Sequence, residues 1–285
     1  MKKIFLATLM FSCSAIAFAQ KAAEVSKVIT AETDFSKTLA SKGIKEGFLS
    51  VADAEGFIFK PQAVKITDFY KAIDKQPGTL KRDVKLARIS ANGDLAFTAG
   101  PYTYQNGKSA DDKVYGDYVS VWRLDATNKL KLLIDLGIQH PEPVEQQLKD
   151  IKGSDAKPVK DSADPFNGKT IILETDKMFN NSLIKSELAT YKEFLSSDGR
   201  FYFPGFEPMM GTDKVMKFLN NQAINIAAET SGAGRSQSGD LAYSFGKATI
   251  KKGNIVNHYH YVRIWEVDAK FKWNILLEVF SPVEN

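Results

Sequence analysis

Cysteine is almost missing from this 285-residue chain: its one thiol, Cys13, lies among the first twenty residues. Beyond that segment no disulfide framework and no cysteine-ligated metal site can form. Histidine is nearly as scarce, with three in all, His140, His258 and His260. No apolar run long enough to span a membrane follows the N-terminal segment. A basic stripe is absent too. Lys and Arg outnumber Asp and Glu by only 38 to 34, their signs are interspersed, and the formal charge of +4 falls to +2 without Lys2 and Lys3. That balance argues against a nucleic-acid partner. The glycine-rich stretch Ser231-Gly232-Ala233-Gly234-Arg235-Ser236 lacks the Gly-Lys-Ser/Thr ending of a phosphate loop and reads as a flexible rim loop. No cofactor is expected.

What is present begins with Lys2 and Lys3, an apolar stretch from Ile4 to Phe18, and Ala17-Phe18-Ala19 before Gln20. A charged start, an apolar segment too short for an anchor and small residues at the cleavage point make a secretory signal peptide. Residues 1–19 are expected to be removed before Gln20, placing the mature protein in the periplasm or outside the cell. Met10-Phe11-Ser12 is too bulky for lipidation at Cys13. With 44% hydrophobic residues, the remainder can bury a sizeable core.

The chain repeats itself. Gly93-Asp94-Leu95-Ala96-Phe97 recurs as Gly239-Asp240-Leu241-Ala242-Tyr243, an offset of 146. Tyr118 to Asp125, with Trp122, recurs as Tyr261 to Asp268, with Trp265, an offset of 143. Glu32-Thr33-Asp34 recurs as Glu174-Thr175-Asp176, an offset of 142. The expected division is a first domain at 20–139, a linker at 140–169 rich in Pro, Gly, Asp, Lys and Ser, and a second domain at 170–285. A short helix is expected near Val144 to Ile151. Each copy reads as two helices, a short strand (Phe57-Ile58-Phe59; Phe201-Tyr202-Phe203) and a third helix entered through Thr67-Asp68 or Thr212-Asp213. Strands separated by turn signals follow. That order is α+β with an antiparallel sheet. The final strands, Leu130 to Leu136 and Trp273 to Phe280, are apolar on both faces, so the two copies are expected to pair through their sheets.

The Gly-Asp-Leu-Ala-aromatic motif, the Tyr-x-x-x-Trp motif and a last strand carrying an acid resemble the nuclear transport factor 2-like superfamily, and within it the SnoaL-like and domain-of-unknown-function 4440 families. The resemblance implies two tandem cones, each a curved antiparallel sheet wrapped around about three helices, with a pocket inside. It implies no single chemistry, since ketosteroid isomerases, dehydratases, cyclases and epoxide hydrolases share the fold. The isomerase base would stand near Phe59 and Phe203, and phenylalanine removes no proton. The carboxylates left in the pattern are Asp135 and Glu278.

His258 and His260, two apart on a strand, share a face and supply two metal ligands at most; no metal is expected. Candidate catalytic groups are therefore Glu278, His258, His260 and Asp135. Candidate pocket walls are Phe59, Tyr118, Trp122, Phe203, Phe206, Met209, Tyr243, Tyr261 and Trp265. Three functions fit: a module binding a small apolar or amphipathic molecule, a lyase, isomerase or hydrolase working in the second domain, and a protein-interaction module. If one pocket is kept and the other filled, the second copy, richer in His and Met, is where the open pocket is expected.

Overall fold

The computed structural model describes residues 22–109, 112–159 and 168–283; the signal segment lies outside the described residues. The first unit runs α1 (Ser26–Lys42), α2 (Ile44–Val51), β1 (Ala52–Phe59), β2 (Ala63–Lys65), α3 (Ile66–Ala72), β3 (Thr79–Arg82), β4 (Leu86–Ile89), β5 (Leu95–Gln105), β6 (Lys113–Leu124) and β7 (Leu130–His140). The connecting segment contributes β8 (Asp150–Lys152). The second unit runs α4 (Gly168–Leu183), α5 (Glu187–Phe194), β9 (Leu195–Tyr202), β10 (Met209–Met210), α6 (Thr212–Gln222), β11 (Asn225–Arg235), β12 (Leu241–Lys252), β13 (Ile255–Val267) and β14 (Trp273–Pro282).

The sheets are separate, with orders β2-β1-β7-β6-β5-β4-β8, where β3 also pairs β5, and β10-β9-β14-β13-β12-β11. Both are largely antiparallel, but the strand after the second helix, β1 or β9, lies parallel to the last strand, β7 or β14. Helix α1 turns Val28, Glu32, Phe35 and Leu39 inward, and α4 turns Ile172, Asp176, Phe179 and Leu183 inward. These spacings make one helical stripe, and each stripe carries a carboxylate among apolar residues. The first unit's core gathers Phe35, Phe48, Ile58 and Trp122; the second gathers Phe179, Tyr191, Phe201 and Trp265.

A third core lies between the units, where Phe97, Val119, Val121 and Leu136 of one sheet meet Val262, Ile264, Leu277 and Val279 of the other. The apolar outer faces of the last strands therefore cover one another. The Gly-Asp-Leu-Ala motif joins the units reciprocally. Asp94 accepts the backbone N–H of Gln237 at 2.8 Å, and Asp240 accepts that of Ala91 at 2.9 Å. Ser90 and Ser236 donate to the same two carboxylates, each at 2.8 Å. Residue i meeting j while j meets i is the signature of a two-fold interface, here within one chain.

Several local expectations change. Residues 144–149 form no helix; the segment instead adds β8 beside β4, tied by an Arg88–Asp150 ion pair at 2.8 Å. Thr67, Asp68, Thr212 and Asp213 lie inside the first turns of α3 and α6 and do not cap them; the acids there complement the helix dipole. The glycine-rich stretch reaches into β11, with Gly232 and Gly234 against the rings of Phe245 and Tyr243. The strand registers align Phe59 with Tyr202 and Lys60 with Phe203, one residue away from the Phe59–Phe203 match. Among the helix carboxylates Glu32 corresponds to Asp176, since Glu174 is exposed.

Candidate ligand cavity

The first unit holds a cavity of about 420 Å³ between its helices and the concave side of its sheet. Phe48, Ile58, Tyr70 and Leu80 supply apolar wall, and Arg82, Tyr118 and Asp135 its polar end. Arg82 comes from β3 and is buried, with Nε 2.9 Å from Glu32 Oε1 and Nη1 2.9 Å from Asp135 Oδ1. Its guanidinium lies 3.6 Å from the centre of the Tyr118 ring and 4.9 Å from that of Phe35, cation–π contacts that replace part of the lost hydration. Ser120 also donates to Asp135 Oδ1. Behind this group, Trp122 Nε1 donates to Thr98 Oγ1 at 3.0 Å, and Thr98 donates to Glu32 Oε2 at 2.8 Å.

Burial pushes the Glu32 carboxyl above its ordinary range, against the pull of Arg82 and the Thr98 hydrogen bond. Burial likewise raises the Tyr118 phenol, with Glu32 adding to the effect. The Tyr118 hydroxyl is buried beside the Arg82 guanidinium, and among the described residues its proton has no acceptor. The cavity thus has an apolar body and, at one end, a carboxylate whose hydrogen bonds from Arg82 and Ser120 fall on one oxygen, beside a phenol whose proton has no acceptor among the described residues.

The second unit builds the same polar group by another route. Arg263, on β13, stands where the first unit has Ser120. Its Nε lies 2.6 Å from Glu278 Oε1 and its Nη1 2.7 Å from Asp176 Oδ1, and it stacks on Tyr261 and Phe179 at 4.0 and 4.4 Å. Tyr191 donates to Glu278 at 2.6 Å, and Trp265 to Ser244 at 2.8 Å. Arginine, helix carboxylate and last-strand carboxylate keep their places around the aromatic rings while the arginine arrives on a different strand.

Space is what separates the units. In the second, Phe203 packs against Phe280, Tyr259 and Phe218 at centroid distances of 6.3, 5.7 and 5.4 Å. The first unit has Lys60, Gly137 and Gly116 where the second has Phe203, Phe280 and Tyr259. Replacing two aromatic rings by hydrogen opens the first cone. Tyr102 compensates only in part, lying across both glycines where the second unit has Ala248. The open pocket is therefore in the first copy, the reverse of the expectation from His and Met content.

The sequence candidates sort accordingly. Phe59, Tyr118 and Asp135 border the cavity. Trp122, Trp265 and Tyr261 are wholly buried core; Phe203 and Met209 help fill the second cone, with Phe206 over Phe203 and Phe218 at its edge. Tyr243 lies on the outer face of its sheet in a cleft between the units. Glu278 is fully buried and engaged by Arg263 and Tyr191; burial raises its carboxyl against the pull of Arg263. His260 has the opposite strand parity from Arg263 and faces the first unit, and His258, on that same outer side, is exposed. Glu278 and the imidazoles thus do not converge, and among the described residues no group of three metal-ligating side chains forms. Sequence reasoning missed Glu32, Arg82, Asp176 and Arg263.

No family model matches the chain, and no curated protein does. Among solved structures, it is similar to a ketosteroid isomerase-like protein from Erwinia carotovora atroseptica at 14% identity, covering 40% of this chain and 96% of that one, TM-score 0.36. An LEH-like epoxide hydrolase from M. tuberculosis is 16% identical over 41% of this chain and 81% of its own, TM-score 0.33. A nuclear transport factor 2-like superfamily protein from Salmonella enterica is 13% identical over 41% and 92%, TM-score 0.35. Each unit runs helices first and a wrapped sheet after, the α+β order expected from the resemblance to the nuclear transport factor 2-like fold. Among the described residues no helix is long and apolar enough to cross a membrane.

Proposed function

We propose that this is an exported small-molecule-binding protein that works through its first unit, with the second serving as structural partner. The contrast between the cones carries the reading: matched frameworks, one with a 420 Å³ cavity and the other packed with aromatic rings. An aromatic wall with few convergent polar groups suits an amphipathic ligand whose apolar body fills the cone. Its polar end would donate to Asp135 and accept from Tyr118. Of the candidate catalytic groups only Asp135 borders the cavity, with Arg82 and Ser120 both held on its Oδ1, and this supports binding without turnover. The outer sheet faces, the surface a protein partner would use, are already covered by the other unit. Export rests on residues 1–19, and puts the mature protein, from Gln20, in the periplasm or outside the cell.

The test is isothermal titration with 4-propylphenol, a neutral probe with one hydroxyl. One site per chain is expected. Asp135→Asn should weaken binding about tenfold or more, as expected for a hydrogen bond to a charged group. No heat of binding with the wild-type protein, or equal affinity in the variant, would contradict the reading.

A further inference from the structure

We propose that the second unit forms the outer wall of the first unit's cavity: Ser281 and Pro282 set the length of ligand admitted, and His260 positions the rim. This rests on the binding reading above and deepens it.

The exposed part of the cavity lining is Lys60, Gly137 and Gln139 from the first unit and Pro282 from the end of β14. Ser281 also borders the cavity. A ligand whose polar end reaches Asp135 and Tyr118 therefore directs its tail toward residues of the other unit. Three residues of the second unit, His260, Ser281 and Gly205, hold the first unit's rim from that side. The His260 ring stacks on Phe59 at 4.3 Å, and its Nε2 lies 2.6 Å from the carbonyl oxygen of Pro61. Ser281 Oγ donates to the carbonyl of Gly137 at 3.0 Å. The backbone N–H of Gly205 donates to the carbonyl of Gln139 at 2.8 Å. Both rim segments, 59–61 and 137–139, are thus anchored outside their own unit. Because Nε2 must carry the proton to donate to Pro61, the neutral imidazole suffices, and burial, which lowers the His260 pKa, favours that form.

Two measurements on the full chain test this. The first needs no ligand: hydrogen exchange in wild type, His260→Ala and His260→Phe. Exchange in 57–62 and 137–140 should accelerate at least tenfold in His260→Ala, with β12 and β13 amides unchanged, and His260→Phe should restore part of the protection by keeping the stack. Unchanged rim exchange in His260→Ala overturns the clamp. The second titrates 4-alkylphenols from ethyl to octyl. Wild-type affinity should rise about threefold to fourfold per methylene until the tail meets the wall, then stop rising. In Pro282→Gly the stop should move to longer chains; an unmoved stop overturns selection by length. If no phenol binds the wild-type protein while His260→Ala loosens the rim, the binding reading and the length selection both fall and the clamp stands.

Discussion

Taking a guanidinium out of water between two carboxylates is favourable only while all three groups remain, because deleting the cation alone strands two buried anions. Arg263, Asp176 and Glu278 are in that position, all with side chains shut off from solvent. Arg263→Met is expected to destabilise the protein by about 3–5 kcal/mol, read from the urea unfolding midpoint. Arg82→Met should cost less, since Asp135 borders the cavity and water can reach it; a larger loss for Arg82 would contradict this. His140 makes a pH prediction. Its Nε2 lies 2.8 Å from Asp117 and its Nδ1 2.6 Å from the carbonyl of Pro141, so only the imidazolium can donate to both. Burial opposes that charge, but the bonds to Asp117 and Pro141 and the charges of Asp117 and Glu207 outweigh it and raise the pKa. A raised folded-state pKa contributes stability that is full below the unfolded value of about 6.5 and is lost as pH climbs through the folded value. Thermal unfolding of wild type should therefore fall relative to His140→Gln as pH rises from about 6 to 9; parallel curves would contradict it.

At the scale of elements, the difference between the units lies in β6 and β7 against β13 and β14. A Cβ at Gly137 would first meet Tyr102 at 3.4 Å, an ordinary contact, so a side chain can enter there. Gly137→Phe should fill the first cone as Phe280 fills the second, abolishing 4-propylphenol binding while leaving the unfolding midpoint within about 1 kcal/mol of wild type. Gly116 admits no such test, because a Cβ there would lie 1.9 Å from the carbonyl of Ile138. Much of this level was legible in the sequence. The repeat, the helix-then-sheet order and the inward parity of Tyr118, Trp122, Tyr261 and Trp265 follow from motif and period. That same parity carries the signal for Arg263, between Tyr261 and Trp265, and the helical spacing of Val28, Phe35 and Leu39 carries the one for Glu32. Arg82 gave no such signal: it reaches Asp135 through the pairing of β3 with β5, a long-range contact that local pattern does not encode. The open cone was not legible in His and Met content, because those residues fill space, whereas a cavity is made by glycines that leave it.

The whole molecule is a two-fold pair made from one chain, and its most repeated motif serves docking. Asp94 and Asp240 each hold a backbone amide of the other unit, and Ser154 also donates to Asp240. Asp240→Ala leaves the Ala91 N–H and the hydroxyls of Ser154, Ser236 and Ser238 without that acceptor, at a cost of about 1–3 kcal/mol per buried group left unpaired. It should raise exchange at Ala91 and Gln237 together, since either half of the latch depends on the same approach of the units; a change confined to Ala91 would contradict a coupled interface. The sheet-to-sheet core is continuous with these contacts, which is how filling the second cone is compatible with its supporting the first. The central claim, that ligand occupies the first cone and the second is closed, is tested most directly by titrating 4-propylphenol into wild type and Gly137→Phe side by side. One site in the wild type and none in the equally stable variant is the result expected. The same affinity in both proteins would contradict it.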